Sequence, residues 1–161
     1  MRGDGLDSKK LEKYITLYHN AVYRLAYSYV KNSFDADDIC QEAFLRLYKS
    51  DEVFASDENC KAWLMKVAVN LSKNMLKSAW FTKRDDLDEN IPADEKADYM
   101  LLEKVKKLPP RYASIIHLYY FEGYDANEIS HITGIPVSTV TTRLSRGREK
   151  LRKIFEKEDL L

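Results

Sequence analysis

At 161 residues, 45% of them hydrophobic, the chain can fill one sizeable core or two small ones, which excludes disorder throughout. Its 26 basic and 26 acidic residues cancel, but they are segregated: residues 137–157 are strongly basic and residues 85–103 mostly acidic, so zero net charge does not exclude a polyanion partner. No apolar run reaches membrane length and Met-Arg-Gly-Asp-Gly at the start has no signal-peptide core; Cys40 and Cys60 form no CxxC pair or zinc cluster, so a cytoplasmic protein with two reduced thiols and no metal is expected.

The N-terminal part, to about residue 78, predicts three helices. The first covers residues 9–31, with Leu11, Ile15, Tyr18, Val22, Leu25 and Tyr29 as its apolar ladder, broken by Asn32 and Ser33. The second covers residues 35–49. Ile39, Cys40, Ala43, Phe44 and Leu47 take its core half, which leaves Leu45 among Asp38, Gln41, Glu42 and Lys49 on the outer half. A single exposed leucine is ordinary on a protein surface. Ringed by Asp38, Gln41 and Glu42, it also suits a docking surface for a basic or mixed partner helix. A polar, acidic loop over residues 51–58 leads to the third helix, residues 59–78. There Lys66, Asn70, Lys73 and Lys77 are spaced by four, three and four and line one face, while Val67, Ala68, Leu71 and Met75 line another and Trp63 stands at the border. A lysine track beside an aromatic ring fits a negatively charged strand with unstacked bases, and it equally fits a solvated helix face.

Residues 80–98 turn acidic and irregular, a composition that fits a tether. A helix over residues 99–108, ended by Pro109-Pro110, and another over residues 111–121 should follow. No period-two strand pattern occurs, so the fold class is all-α: two small helical domains joined by an acidic linker.

Residues 125–148 read as a helix-turn-helix running into basic residues. Asp125 and Glu128 form a capping box, Ala126, Ile129 and Ile132 recur at helical spacing, and Gly134 supplies the turn. Ser130 is small where the second helix approaches, Val140 closes the small core, and Pro136 suits the first turn of the second helix. Val140, Leu144, Leu151, Ile154 and Phe155 fall in one core-facing stripe. Opposite them lie Ser138, Thr141, Thr142 and Ser145, with Arg146 at the edge; small hydroxyls admit close entry to a major groove, and Ser, Thr and Arg can bond base edges. Arg143, Arg148, Lys150, Arg152 and Lys153 flank that face and suit phosphate contacts, which position a protein without reading sequence.

His19, His117 and His131 lack metal-ligand spacing, and no glycine-rich phosphate loop or nucleophile motif appears, so no catalytic residue, cofactor or small-molecule substrate is expected. His117, among Ile115, Ile116 and Leu118, reads as a packed core histidine. A stand-alone helix-turn-helix regulator is the alternative reading, although such a protein normally dimerises on two half-sites and no dimer helix is evident here.

In this order, the motifs resemble those of the extracytoplasmic-function (group IV) sigma factors of bacterial RNA polymerase, over nearly the whole chain. Asp38-Ile-Cys-Gln-Glu-Ala-Phe-Leu-Arg-Leu-Tyr48 looks like that family's region 2.2, which docks on the clamp coiled coil of the largest polymerase subunit. Ala62-Trp-Leu-Met-Lys-Val-Ala-Val-Asn-Leu-Ser-Lys-Asn-Met-Leu76 looks like regions 2.3 and 2.4, which bind the separated strand of the −10 element. Leu108-Pro-Pro-Arg-Tyr112 and the stretch from Tyr124 to Arg148 resemble region 4, the −35 reader. The resemblance implies region 2 over residues 1–80, a linker over 81–98 and region 4 over 99–161. It makes Asp38, Gln41, Glu42 and Leu45 polymerase contacts. Trp63, Lys66, Asn70, Lys73 and Lys77, with the loop over residues 51–59, become the −10 surface. Ser138, Thr141, Thr142, Arg143, Ser145, Arg146, Arg148 and Lys150 become the −35 surface. The implied partners are core polymerase (clamp coiled coil and flap region), promoter DNA and an anti-sigma factor, which could hold the protein at a membrane it does not itself span. Family members often carry a basic residue where Thr141 stands and alanine where Gly147 stands; a mid-helix glycine costs up to ~1 kcal/mol against alanine and is expected to loosen the recognition helix.

Overall fold

The computed structural model describes residues 6–78 and 96–159, and among them every regular element is helical. The first three helices are α1 (Ser8–Val30), α2 (Ser33–Lys49) and α3 (Asp57–Lys77). Each starts at a residue whose side chain accepts from a backbone N–H three positions on: Asp7, Asn32 and Ser56. Asn32, read from sequence as a breaker, is therefore also the cap that starts α2, two residues before the expected Asp35. Lys31 turns the chain there with φ 62°, and Asn32 bonds both the Asp35 amide and its carboxylate at 2.8 Å. Likewise Asp57 and Glu58, expected in the loop, lie in the first turn of α3, where carboxylates suit the positive end of the helix dipole.

α1, α2 and α3 pack on one another around Val22, Leu25, Leu47, Leu64, Met65 and Val69. On α3 the fully buried face is Leu64, Met65, Ala68, Val69 and Ser72, while Val67, Leu71 and Met75 lie half-buried at its edge. The sequence placed the core a step away because α3 is covered on two sides, by α1 and α2 and by a later helix, which blurs a single stripe. Cys40 and Cys60 are free and buried, and burial pushes both thiols up to about 12.

α4 (Lys96–Val105) begins before the expected residue 99, inside the stretch read as linker, and closes with turns at Lys107 and Leu108 ahead of Pro109; residues 81–95 of that linker lie outside the described residues. α5 (Pro110–Ile116) widens into a π-helical turn (His117–Phe121) where one longer α-helix was expected. α6 (Ala126–Thr133) and α7 (Val137–Asp159) complete the chain. α5 packs on α7, and α7 also meets α6 and α4, with Lys104 and Lys107 pairing with Glu158. Val140, Leu144 and Leu151 are buried and Ile154 is half-buried as expected. Phe155 is 37% exposed instead, with the Lys104 ammonium 5.7 Å from its ring centroid.

Candidate nucleic-acid and polymerase interfaces

The helix-turn-helix is built as its sequence dictates. Asp125 accepts from the Glu128 amide at 2.8 Å and the Glu128 carboxylate accepts from the Asp125 amide at 3.0 Å, closing the capping box. Gly134 sits at φ 76°, a conformation that excludes most side chains. Ser130 does more than stay small: its hydroxyl donates to the Ile135 carbonyl at 2.6 Å and ties the turn. Pro136 stands just before α7, where its carbonyl accepts from the Val140 amide.

Ser138, Thr141, Thr142, Ser145 and Arg146 are all exposed on α7. The Thr141 and Thr142 hydroxyls both donate to the Ser138 carbonyl at 2.9 Å. Their protons being engaged, their outward lone pairs can accept, which suits the exocyclic amino groups of cytosine or adenine. Arg111, Lys150 and Arg146 converge on the Tyr112 hydroxyl and hold its pKa below the usual value, Arg111 contributing most; Lys150 also lies 5.4 Å from that ring centroid. Arg148 stacks over Tyr119 and Tyr120 and donates from Nε to the Tyr120 hydroxyl at 2.5 Å, which fixes its head beside the recognition face. Arg152, read as a phosphate contact, pairs with Glu149 and Glu156 on its own helix, and those carboxylates compete for it. Arg143 is half-buried and turns inward, into a cleft shared with Lys73 and Tyr29.

On α3, Lys66, Asn70 and Lys77 are exposed along one face. Lys73 is not free: its ammonium donates to the Thr133 carbonyl at 2.5 Å, at the end of α6. Trp63 is half-buried with Phe54 edge-on at 6.0 Å, so the loop over residues 51–56 walls the indole. On α2, Leu45 is 43% exposed and forms a ridge with Gln41. An apolar groove of about 360 Å³ runs on one side, floored by Ile15, Phe44 and Tyr48, and one of about 430 Å³ on the other, floored by Ile39, Leu71 and Met75. Asp38 and Glu42 border the second groove, Gln41 donates to Asp37 at 3.2 Å, and Glu42 pairs with Arg46 at 3.1 Å.

One cluster had no signal in the sequence. Glu122, 4% exposed at its side chain, stands between Lys61 of α3 (2.8 Å) and the buried His117 (3.0 Å). Burial alone would raise its pKa; the contacts with His117 and Lys61 outweigh that and hold it at about 2. His117 is packed, as expected, and stacks on Phe121, but it also backs this ion pair. Only the tertiary fold brings position 61 to position 122.

Residues 14–82 match the family described as Sigma-70 region 2, and residues 99–151 match Sigma-70, region 4. The chain is 38% identical over 152 residues to the RNA polymerase sigma factor SigV of Bacillus subtilis, covering 91% of each. It is 33% identical to the ECF RNA polymerase sigma factor SigW of the same organism, covering 86% of this chain and 85% of the relative. In fold it is similar to the sigma factor RpoE of Bartonella quintana, solved with the anti-sigma factor NepR, at TM-score 0.68 and 18% identity over 92% of this chain and 98% of that one. It is similar also to CnrH, solved with the cytosolic domain of CnrY, at TM-score 0.66 and 19% identity over 94% and 90%.

Proposed function

The chain belongs to the extracytoplasmic-function (ECF) RNA polymerase sigma factors, and from that premise we propose how its surfaces divide the work. As a sigma factor it binds core polymerase and directs promoter-specific initiation of transcription. Region 2, residues 1–80, carries two surfaces. The Leu45–Gln41 ridge, with Asp38 and Glu42, docks on the clamp coiled coil: its apolar crest supplies contact area and the carboxylates select a basic or mixed partner. The face of Trp63, Lys66, Asn70 and Lys77, with Lys73 once its bond to the Thr133 carbonyl is broken, holds the separated −10 strand, lysines meeting phosphates while Trp63 and Asn70 meet bases. Region 4, residues 99–161, reads the −35 duplex through Ser138, Thr141, Thr142, Ser145 and Arg146, with Arg148 and Lys150 on phosphates, joined by Arg143 only once it swings out of the cleft beside Lys73, and meets the polymerase flap region. No step here breaks or forms a covalent bond, so the protein positions DNA and catalyses nothing itself. No helix among the described residues is long and apolar enough to cross a membrane. We place the protein in the cytoplasm and infer an anti-sigma partner, since the fold neighbour RpoE was solved with an anti-sigma factor bound.

The observation that carries this division is the exposed hydroxyl-and-arginine face of α7 behind a turn locked by Asp125, Glu128, Ser130 and Gly134, together with a separate exposed ridge on α2. The test is a gel shift on promoter duplex with and without core enzyme, across a salt series. Weak binding alone and tight, salt-sensitive, sequence-specific binding with core are expected. Nanomolar specific binding by the isolated chain at physiological salt would overturn the reading in favour of a stand-alone regulator.

A further inference from the structure

The π-helical turn that ends α5 sends two residues inward and two outward. His117 and Leu118 are buried, whereas Tyr119 is 36% and Tyr120 47% exposed. Their rings meet edge to face with centroids 4.9 Å apart. The Arg148 guanidinium of α7 lies 5.4 Å from the Tyr119 centroid and 5.6 Å from that of Tyr120. The Tyr120 hydroxyl accepts from Arg148 Nε at 2.5 Å, which leaves the phenol's own proton and both Nη groups of the arginine available as donors. Among the described residues no carboxylate pairs with Arg148, and no hydrogen bond engages the Tyr119 hydroxyl.

We propose that Tyr119 and Tyr120 form an uncharged clamp that holds Arg148 over one backbone phosphate at the rim of the −35 major groove, and that both tyrosine hydroxyls donate to that phosphate. That α7 enters the −35 duplex rests on the functional reading above; the clamp on Arg148 does not.

Position and charge both point to a phosphate. Ser138, Thr141, Ser145 and Arg148 are exposed and recur at intervals of three, four and three, so Arg148 prolongs the outward stripe of α7. At about 1.5 Å per residue it stands ~10 Å beyond Thr141. The major groove is about 12 Å wide, so a stripe seated in it brings Arg148 to the backbone at its edge. Arg152, one turn further on, is fixed as well, but by Glu149 and Glu156, which cancel its charge. Tyrosines fix an arginine through ring faces and a hydroxyl and leave its charge whole, which prepares the cation for an anion from outside. A planar guanidinium with both Nη groups to spare matches two oxygens of one phosphate. An apolar protein partner is a poorer match, because Arg148 already covers the rings and the groups left over are mainly donors. Neither tyrosine stands out in the sequence, where Tyr120 lies 28 positions from Arg148.

The test uses holoenzyme, the full chain with core polymerase, in competition binding to promoter duplexes that each carry one methylphosphonate, an uncharged substitute for a phosphate, in or beside the −35 element. For the unaltered protein one such substitution should weaken binding about three- to tenfold. Tyr119→Leu with Tyr120→Leu keeps apolar bulk but removes both ring faces and both hydroxyls. It should weaken binding to the natural duplex by a similar factor and lower the slope of log affinity against log salt by about 1. It should also stop responding to that methylphosphonate, which a merely structural loss would not do. Tyr119→Phe with Tyr120→Phe keeps the rings and should recover part of both the affinity and the response; should the leucine variant lose helix content by circular dichroism, the phenylalanine variant is scored in its place by a reduced response. A folded variant that responds to the same phosphate as fully as the unaltered protein overturns the clamp and leaves the functional reading standing. Weakened co-purification with core, at unchanged phosphate response, overturns it too and assigns the pair to the polymerase interface. If no methylphosphonate around −35 affects the unaltered holoenzyme, the functional reading of α7 fails and the proposal with it.

Discussion

Gly147 is where the family's usual alanine meets a specific obstacle in this chain. A Cβ at position 147 would lie 3.1 Å from both Cδ1 and Cγ1 of Ile116 and 3.6 Å from Tyr112 Cβ. Both neighbours are buried in the α5–α7 contact, and Ile116 is fully so. Two effects oppose in Gly147→Ala. Alanine favours the helix by about 1 kcal/mol over glycine, whereas an added methyl in a packed core costs roughly 1–3 kcal/mol when neighbours must move. Ile116 has to give by only a few tenths of an ångström, which puts the cost near 2 kcal/mol and the net at about 1 kcal/mol destabilising. Thermal unfolding by circular dichroism should show a Tm lowered by about 2–8 °C. Ile116→Val removes Cδ1, one of the two atoms at 3.1 Å, and alone costs about 0.5–1.5 kcal/mol. In the double variant the losses should fall short of additive by at least ~0.5 kcal/mol, since the second change relieves the first. A higher Tm for Gly147→Ala, or strictly additive losses, would refute this account. It would restore the view that the glycine only loosens the recognition helix.

Four further outcomes are expected. Leu45→Ala, or Gln41→Ala with Glu42→Ala, should weaken co-purification with core polymerase while circular dichroism stays unchanged, because these side chains face outward. Arg146→Ala and Thr142→Ala should change −35 preference by about 1–3 kcal/mol per base contact, whereas Lys150→Ala weakens all sequences alike; uniform losses for Arg146→Ala across promoter variants would make it a backbone contact. Asn70→Ala should keep closed-complex formation but lose permanganate reactivity around −10 on duplex DNA, with rescue on a premelted bubble. Equal failure on both templates would place Asn70 in strand binding rather than opening, and wild-type behaviour on both would remove it from the −10 surface. Because the Glu122 carboxyl is depressed from 4.5 to about 2 in the fold, its stabilisation is fully present above pH 4.5 and is lost as pH falls toward 2. A Glu122→Gln variant should therefore show a shallower fall in stability over that window, and identical acid titrations would discount the ion pair.

Local chemistry decided most of what the sequence revealed. A helix start needs only a side-chain acceptor placed three residues before an amide, so the Asp125–Glu128 box, Gly134 and the α7 face from Ser138 to Arg146 were legible directly, and the structure holds them as read. Leu45 stood out for the same reason: helical spacing alone separates it from Phe44 and Leu47.

What the sequence left open depends on distant contacts. Asn32 could break one helix or start the next; the left-handed Lys31 before it and its bond to the Asp35 amide make it do both, a local signal read from sequence only as a break. The core face of α3 was read a step off because a second layer covers it. Phe155 followed the helical period, yet is exposed and meets the Lys104 ammonium of α4, a contact that helical spacing cannot foresee. Lys61 and Glu122, Lys73 and Thr133, and Gly147 and Ile116 lie far apart along the chain, and no periodic pattern links them. The sequence by itself determined which stretches are helical, the Asp125–Glu128 cap and the outward faces we propose for DNA and polymerase, because those depend on neighbours within a turn or two. The tertiary structure alone decided which charges are buried, which lysine of the α3 track is covered and why a glycine stands at 147, because each depends on a surface supplied by another part of the fold.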